Sequence, residues 1–533
     1  MTTDGARTSP REHGADDRSI RTRTIAALAT VAVCSLAGAA VMIAFSPHGV
    51  HTTPDSFTYL GAADSLAHGK GWTYPFGDVG SPVTLFPPLY PAILSVPELF
   101  GIGVFGWVTW QNAFLLAVFS GVVGTGVATA TGGSIPASVL AVTVTYLGTP
   151  TTVTYARIWS ESLFFPLVVG ILVVLGRFLT TWRTPWLLVA AVLTSLSMLT
   201  RYAGLSIFVT CCVVLLVVRG RPFLERARMV AIYGGIALAP SALWIVRNRV
   251  RSGTLTGDNE LIHDLSFADI AEGIRTIGAW LGGDATDART RWTAATLAAS
   301  AVVIAVVVAV RSARRERVGE VAIPPVAAAC AAFVVVHFAF IAVANAFSTR
   351  APPFNDRILG PAFAPLVVAI AVTGQRLWVA FRAALLPRIA VGAAACALLG
   401  ASLLTATHSF SNQYGSSANT EGGFLEMSEA LASERVRGSV LLSNRPNIAW
   451  YVTGEPVAGL PRSCRGGRIL PNPDYRDDLR ALSEGLGDEP RLVLIIGKSK
   501  ECEPYSLDGL MRTLRLERRA RVPKVIVLEG PAN

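Results

Sequence analysis

Two carboxylates carry the chemistry open to this chain. Asp55 stands in Pro54-Asp55-Ser56-Phe57-Thr58-Tyr59, just after the first long apolar run. Glu161 stands in Arg157-Ile158-Trp159-Ser160-Glu161-Ser162-Leu163, where a later run begins. A carboxylate at a membrane surface, partly stripped of water, can take a proton from an attacking hydroxyl. An acid entering hydrocarbon is costly and is a functional candidate on that ground. Each has a plainer reading too. Asp55 can cap the helix that follows it, which has Phe57, Leu60, Asp64 and Ala67 at helical spacing. Glu161 can pair with Arg157 one turn away. Together the two acids can act as a catalytic pair or hold a divalent metal, and two carboxylates alone leave the metal open.

The basic partners are arginines. Arg201 lies in Leu199-Thr200-Arg201-Tyr202-Ala203-Gly204, Arg247 in Trp244-Ile245-Val246-Arg247-Asn248, and Arg357 in Asn355-Asp356-Arg357-Ile358-Leu359. All three fall on the side of the membrane where cations are otherwise sparse. A guanidinium matches a phosphate bidentately, so the set reads as a binding site for a lipid phosphate. Lipid headgroups or the nearby acids are the alternative partners. The rigid aromatic segment 86–91, with Trp72 and Tyr74, fixes the same loop against the membrane interface. Tyr59 and Tyr90 are its candidate substrate-facing rings. His48, His51 and His68 read as scattered surface residues. A phosphate-cradling glycine loop of Walker type is absent from the sequence, so ATP-driven transport has no support.

These residues need a membrane to position them. The chain of 533 residues is 52% hydrophobic and only 15% charged, with mean hydropathy +0.48. Soluble chains are nearer a quarter charged. Eleven apolar spans are expected: 25–45, 104–130, 135–150, 160–177, 185–200, 203–218, 229–246, 293–310, 323–345, 358–374 and 389–407. The net charge of +10 sits in short arginine-rich loops between spans, which points away from nucleic acid. Those loops hold Arg177 and Arg183, then Arg219, Arg221, Arg226 and Arg228, then Arg311, Arg314, Arg315 and Arg317, then Arg376, Arg382 and Arg388. By the positive-inside rule they are cytoplasmic. The polar segment 1–24 is then a disordered cytoplasmic N-terminus, and the first loop, 46–103, faces outward with Asp55.

An odd number of spans puts the tail, 408–533, on the outer side as well. Helical patterns at 424–433 and 477–486 alternate with apolar strands at 439–443, 491–497 and 522–528, which predicts a small α/β domain. Its charges nearly cancel. Cys34, Cys211, Cys212, Cys330 and Cys396 fall in apolar spans. Cys464 and Cys502 share the tail, where an oxidising compartment allows a disulfide.

Several of these motifs occur together in one family. Asp55-Ser56-x-x-Tyr59-x-x-x-Ala63, Gly69-Lys70-Gly71 and the segment 86–91 resemble the first outer loop of GT-C superfamily glycosyltransferases, nearest to the protein O-mannosyltransferases and the aminoarabinose transferases of lipid A. Ser160-Glu161-x-Leu163-Phe164, Thr200-Arg201-Tyr202-Ala203-Gly204, Trp244-x-x-Arg247-Asn248 and Asp356-Arg357-Ile358-Leu359 look like recurring elements of bacterial members. The resemblance covers about residues 25–375. It implies a polytopic helical membrane enzyme of a bacterial plasma membrane that moves a sugar from a polyprenyl-phosphate donor, with inversion, to a hydroxyl of a cell-envelope glycan, lipid or protein. It implies an Asp base in the first outer loop, matched here by Asp55, and the composition and long apolar helices suit a high-GC bacterium with a mannosyl or arabinosyl donor. Glu161 would assist, and Arg201, Arg247 and Arg357 would hold the donor phosphate. Many members carry a second acid after the Asp. Ser56 stands there in this chain, so metal-binding details do not carry over. The rival readings are a transporter or flippase of lipid-linked sugars, which needs polar groups at mid-membrane depth, and a non-catalytic GT-C-like membrane subunit.

Overall fold

A computed structural model describes residues 10–218, 220–256, 266–282, 323–346, 354–380, 385–414, 421–432, 439–461, 464–465, 470–496, 507–522 and 525–530. Six helices among them are long and apolar enough to cross a membrane: Ser19–Ala44, Val104–Ala130, Glu161–Thr181, Phe223–Ser252, Pro325–Asn345 and Asp356–Ala380. The chain is a multi-pass helical membrane protein, as its composition requires. Two expected spans are shorter than their apolar runs, Ile135–Leu147 and Gly204–Val217, while Thr184–Thr200 matches the expected 185–200 within a residue and the expected 389–407 lies inside the helix Leu385–Tyr414. The 14 residues of Gly204–Val217 rise about 21 Å, less than the hydrocarbon thickness of about 30 Å. The chain interrupts its own ladder at these ends. Gly148 is extended just before a helix with proline in its first turn, and Arg201 is extended at the end of Thr184–Thr200. The expected span 293–310 lies outside the described residues.

The helices pack around Glu161–Thr181, whose Phe164, Phe165, Val168 and Leu172 are buried with Phe119, Val123, Phe333 and Val368. Lipid tails are as apolar as these side chains, so close van der Waals fit holds the bundle more than water exclusion does.

The tail builds a sheet, and the first loop joins it. The strands are β1 (Phe76–Gly77), β2 (Val440–Ser443), β3 (Val457–Gly459), the small separate pair β4 (Cys464–Arg465) and β5 (Leu470–Pro471), then β6 (Arg491–Ile496), β7 (Glu517–Val522) and β8 (Val525–Glu529). The main sheet runs β1-β3-β2-β6-β8-β7. Its first four strands are parallel neighbours, while β8 pairs antiparallel with both β6 and β7. The expected strands in 439–443, 491–497 and 522–528 and both expected helices are present, the helices as Glu421–Ala432 and Tyr475–Leu486. Side chains alternate along β6. Leu492, Leu494 and Ile496 enter one buried cluster, and Val493 enters another with Leu442, Leu479, Leu510 and Leu528. Cys502 lies outside the described residues, and with it the expected pairing to Cys464.

Strand β1 belongs to the loop 46–103, which the sequence reading kept separate from the tail. Phe76 lies opposite Val457 and Gly77 opposite Ala458. The helix Pro54–Ala67 packs against Pro446–Thr453 of the tail. Phe57 meets Phe424 edge-on at 5.3 Å, Phe76 meets Trp450 at 5.6 Å, and the Asn447 side-chain amide donates to the Pro54 carbonyl at 3.4 Å. First loop and tail thus share one core.

Gly61 is what permits that approach. A Cβ built on it would stand 2.4 Å from the Phe76 ring and 3.1 Å from Pro75. Glycine inside a helix is otherwise unfavourable. Gly61→Val is expected to cost about 1–3 kcal/mol by overpacking and to lower the Tm of the detergent-purified protein. A Tm equal to wild type would show that β1 does not sit on this helix.

Candidate active site

Backbone bridges draw the two acidic segments together. The His51 N–H donates to the Ala156 carbonyl at 2.8 Å, and the Ile158 N–H donates to the His51 carbonyl at 3.1 Å. Asn112, buried on a neighbouring helix, donates to the carbonyls of Tyr155 and Arg157 at 2.9 Å each. These bonds satisfy the non-helical backbone of 155–160, which cannot go unpaired in a membrane protein.

The helix carrying Asp55 begins at Thr53, not at Asp55. Thr53 is its N-cap, and the Thr53 N–H donates to Ser56 Oγ at 2.9 Å. Ser56 Oγ in turn donates to the Ile158 carbonyl at 3.0 Å. The capping role considered for Asp55 therefore falls to Thr53 and Ser56. Ser56 is a buried tie between the two segments, and the Asp55 carboxylate is left to other partners.

Its partner is Arg357, whose Nη1 lies 2.6 Å from Asp55 Oδ2. The same guanidinium reaches Glu161 with Nε, 2.5 Å from Oε1. Glu161 also pairs through Oε2 with Arg201 Nη1 at 2.8 Å. The result is an alternating row, Asp55, Arg357, Glu161, Arg201, with two charges of each sign. Glu161 is almost fully buried, with 1% of its side chain exposed, whereas Asp55 keeps 34% exposed. Asp55 is thus the one of the two acids open to solvent, and Glu161 is sealed against two cations. Arg157 donates to the Val153 carbonyl at 2.7 Å and is not the partner of Glu161 that its spacing allowed. The space between the two carboxylates, considered from sequence as a metal position, holds the Arg357 guanidinium.

Each arginine is placed by local structure. Asn355 caps a short turn, accepting at 3.1 Å from both the Arg357 and the Ile358 N–H. Asp356 accepts from Trp280 Nε1 at 2.7 Å. The Arg357 guanidinium stacks 4.2 Å from the Trp159 ring, and Trp159 Nε1 donates to Thr53 Oγ1 at 2.8 Å. Arg201 Nη1 also donates to Ser160 Oγ at 2.9 Å. Neither Nη2, on Arg201 or on Arg357, has a hydrogen bond among the described residues. Trp159, Ser160 and Thr53 were not singled out from sequence, although Trp159 and Ser160 lie within the Glu161 motif.

Tyr59 closes the row from behind, its hydroxyl 3.0 Å from Ser160 Oγ and its ring edge-on to Tyr90 at 5.1 Å. Both rings are buried. Burial pushes both hydroxyls well above the ordinary tyrosine value, so they stay protonated. They back the site instead of facing a substrate.

Arg247 stands apart from this row. It donates to the carbonyls of Val83 at 2.6 Å and Trp72 at 3.0 Å, and stacks 4.7 Å from the Trp244 ring. Tyr202, next to Arg201, donates to the Thr84 carbonyl at 2.8 Å. Arg247 and Tyr202 together clamp the far end of the first loop, and Trp72 packs on Trp244 inside that clamp at 5.4 Å.

Removing one member of a buried ion pair strands the other charge, at a cost of about 3–5 kcal/mol. Glu161→Ala strands Arg201 and leaves Arg357 only Asp55, and is expected to lower the Tm well below that of Asp55→Asn, whose site is open to water. Equal Tm values for the two variants would exclude Glu161 as the organiser of the row.

No protein-family model and no curated protein sequence matches the chain. Solved structures do match. ArnT from Cupriavidus metallidurans in the apo state aligns with TM-score 0.61 at 13% identity, over 94% of this chain and 99% of that one. The same protein bound to undecaprenyl phosphate aligns with TM-score 0.59 at 12% identity, over 94% and 98%. The arabinofuranosyltransferase AftD from Mycobacteria aligns with TM-score 0.58 at 16% identity, over 94% of this chain and 40% of that larger one. The chain shares its fold with ArnT and with AftD.

Proposed function

We propose that this chain is a glycosyltransferase of a bacterial plasma membrane that moves a sugar from a polyprenyl-phosphate donor to an acceptor hydroxyl on the extracytoplasmic side. The observation that carries the reading is the half-exposed Asp55 carboxylate, fixed by Arg357 beside two guanidinium Nη2 groups with no other partner among the described residues. A partly exposed carboxylate and two guanidinium groups, 20% and 17% exposed, meet there, which suits a base beside a phosphate site. An apolar groove of about 630 Å³ supports a lipid-linked donor. Leu28, Val31, Val118, Leu163, Pro166 and Leu193 line it, and Leu163 is two residues from Glu161. The fold is shared with a protein whose structure holds undecaprenyl phosphate.

In this mechanism the acceptor hydroxyl gives its proton to Asp55 as its oxygen attacks the anomeric carbon. The bond from that carbon to the phosphate oxygen breaks on the opposite face, which inverts the centre. Polyprenyl phosphate leaves with the bonding electrons, and Arg201 and Arg357 stabilise its growing charge through donors set in place beforehand. A phosphate is a good leaving group at neutral pH, so the step needs no strong acid. Glu161 keeps both arginines aimed. Arg247 serves by holding the loop that forms the wall of the site. In this reading the acceptor belongs to the cell envelope and is received by the tail, a role supported by the packing of the tail on the Asp55 helix.

A positioned base is worth about 10²–10⁴-fold. Asp55→Asn is expected to lower turnover by at least about 100-fold at unchanged protein level. The assay profiles envelope glycans and glycolipids by mass spectrometry in a deletion strain complemented with each form. If Asp55→Asn restores the missing sugar as well as wild type does, Asp55 is not the base, and a transporter or non-catalytic subunit is the better reading. Arg357→Lys removes the fork geometry and one charge-assisted hydrogen bond. A rise of about tenfold in donor KM is expected from the loss of about 1.5 kcal/mol. An unchanged donor KM would remove Arg357 from the phosphate site.

A further inference from the structure

Away from the ion row, the helix Pro54–Ala67 and the helix Leu89–Leu99 bring three metal-ligating groups together. Asp64 and His68 are one turn apart on the first helix, and Glu98 comes from the last turn of the second. One ligand atom from each lies within 4.8 Å of the other two. His68 Nδ1 is 3.2 Å from Asp64 Oδ1 and 2.9 Å from the Asp64 carbonyl oxygen. Glu98 Oε2 is shut off from solvent and has no hydrogen-bond partner among the described residues.

We propose that Asp64, His68 and Glu98 form a binding site for a divalent transition cation such as Zn²⁺. Imidazole plus carboxylates is a donor set such ions prefer, with bonds of about 2.0–2.2 Å. Three atoms bound to one ion at that length lie within about 4.4 Å of one another, close to the observed cluster. The spacing is also mechanically simple. Residues four apart project from one face of a helix, and a facing helix supplies the third arm. Charge points the same way, because two carboxylates and a neutral imidazole sum to a charge that a divalent ion cancels. A buried carboxylate oxygen with no donor is otherwise an expensive group to keep.

Asp64 lies nine residues beyond Asp55, about 13.5 Å along the helix. The ion therefore does not touch the reacting atoms. It staples the helix that carries Asp55 to its neighbour, and this holds whether or not Asp55 is a base.

The full-length protein in detergent is stripped with a chelator, desalted and titrated with Zn²⁺. Bound metal is counted by mass spectrometry and Tm is followed in parallel. Wild type is expected to retain one Zn²⁺ per chain above any background and to gain Tm on loading. His68→Asn, a change at a mostly exposed ring, and Glu98→Gln are both expected to lose that ion and the Tm gain. His48→Asn, outside the cluster, is expected to keep both. If wild type retains no zinc, or if His68→Asn and Glu98→Gln retain as much as His48→Asn, the three residues are a cluster of charged side chains and the metal site is wrong.

Discussion

The site depends on one guanidinium between two carboxylates. Arg357 cannot be buried alone, and neither can Glu161, because each would give up hydration worth several kcal/mol with nothing in return. Alternating the signs along Asp55, Arg357, Glu161 and Arg201 lets every charge face its opposite at 2.5–2.8 Å. The row also grades exposure. Glu161 is sealed in the protein and Asp55 opens to solvent. Identical functional groups thereby stand in different settings, one sealed against two cations and the other open to solvent. Trp159 stiffens the arrangement by stacking on Arg357 while its indole N–H holds the Thr53 cap.

The surroundings of the row follow from the same need for fixed geometry. The segment before Glu161 is not helical, and its carbonyls are taken up by Asn112, His51 and Ser56. Those bonds locate the start of the Asp55 helix relative to Glu161. The other side of that helix is packed by the aromatic side chains of the tail, so the carboxylate is held between a membrane bundle and a sheet. Side chains at its back, Tyr59 and Tyr90, are kept neutral by burial and add no competing charge.

Much of this was legible in the sequence, and the limits are instructive. Asp55, Glu161, Arg201 and Arg357 stand out because charge at the end of an apolar run needs a reason. The strands of the tail stand out because short apolar runs between turn residues have few other ways to fold. What spacing does not carry is the choice of partner across the chain. Arg157, four residues from Glu161, looks like its natural mate, yet residues 201 and 357 fill that place. Arg247 looks like its fellow arginines, but the carbonyls of Trp72 and Val83 occupy it. Asp55 has the composition of an N-cap, and Thr53 two residues earlier has the geometry. His68 read as scattered because Glu98, its neighbour in space, lies on another helix. Strand β1 is two residues long, below what any periodicity can register.

That short strand has a consequence for how the molecule is made. Phe76 and Gly77 are synthesised early, and their partners Val457 and Ala458 only after nearly all the membrane helices. The edge of the sheet and part of the packing of the Asp55 helix therefore wait for a segment far along the chain to reach the same face of the bilayer. A chain that stops before Phe424 already contains Asp55, Glu161, Arg201 and Arg357 but lacks the strands and aromatic side chains that pack on the helix of Asp55. The setting of the ion row is thus completed by residues made after all four of its members.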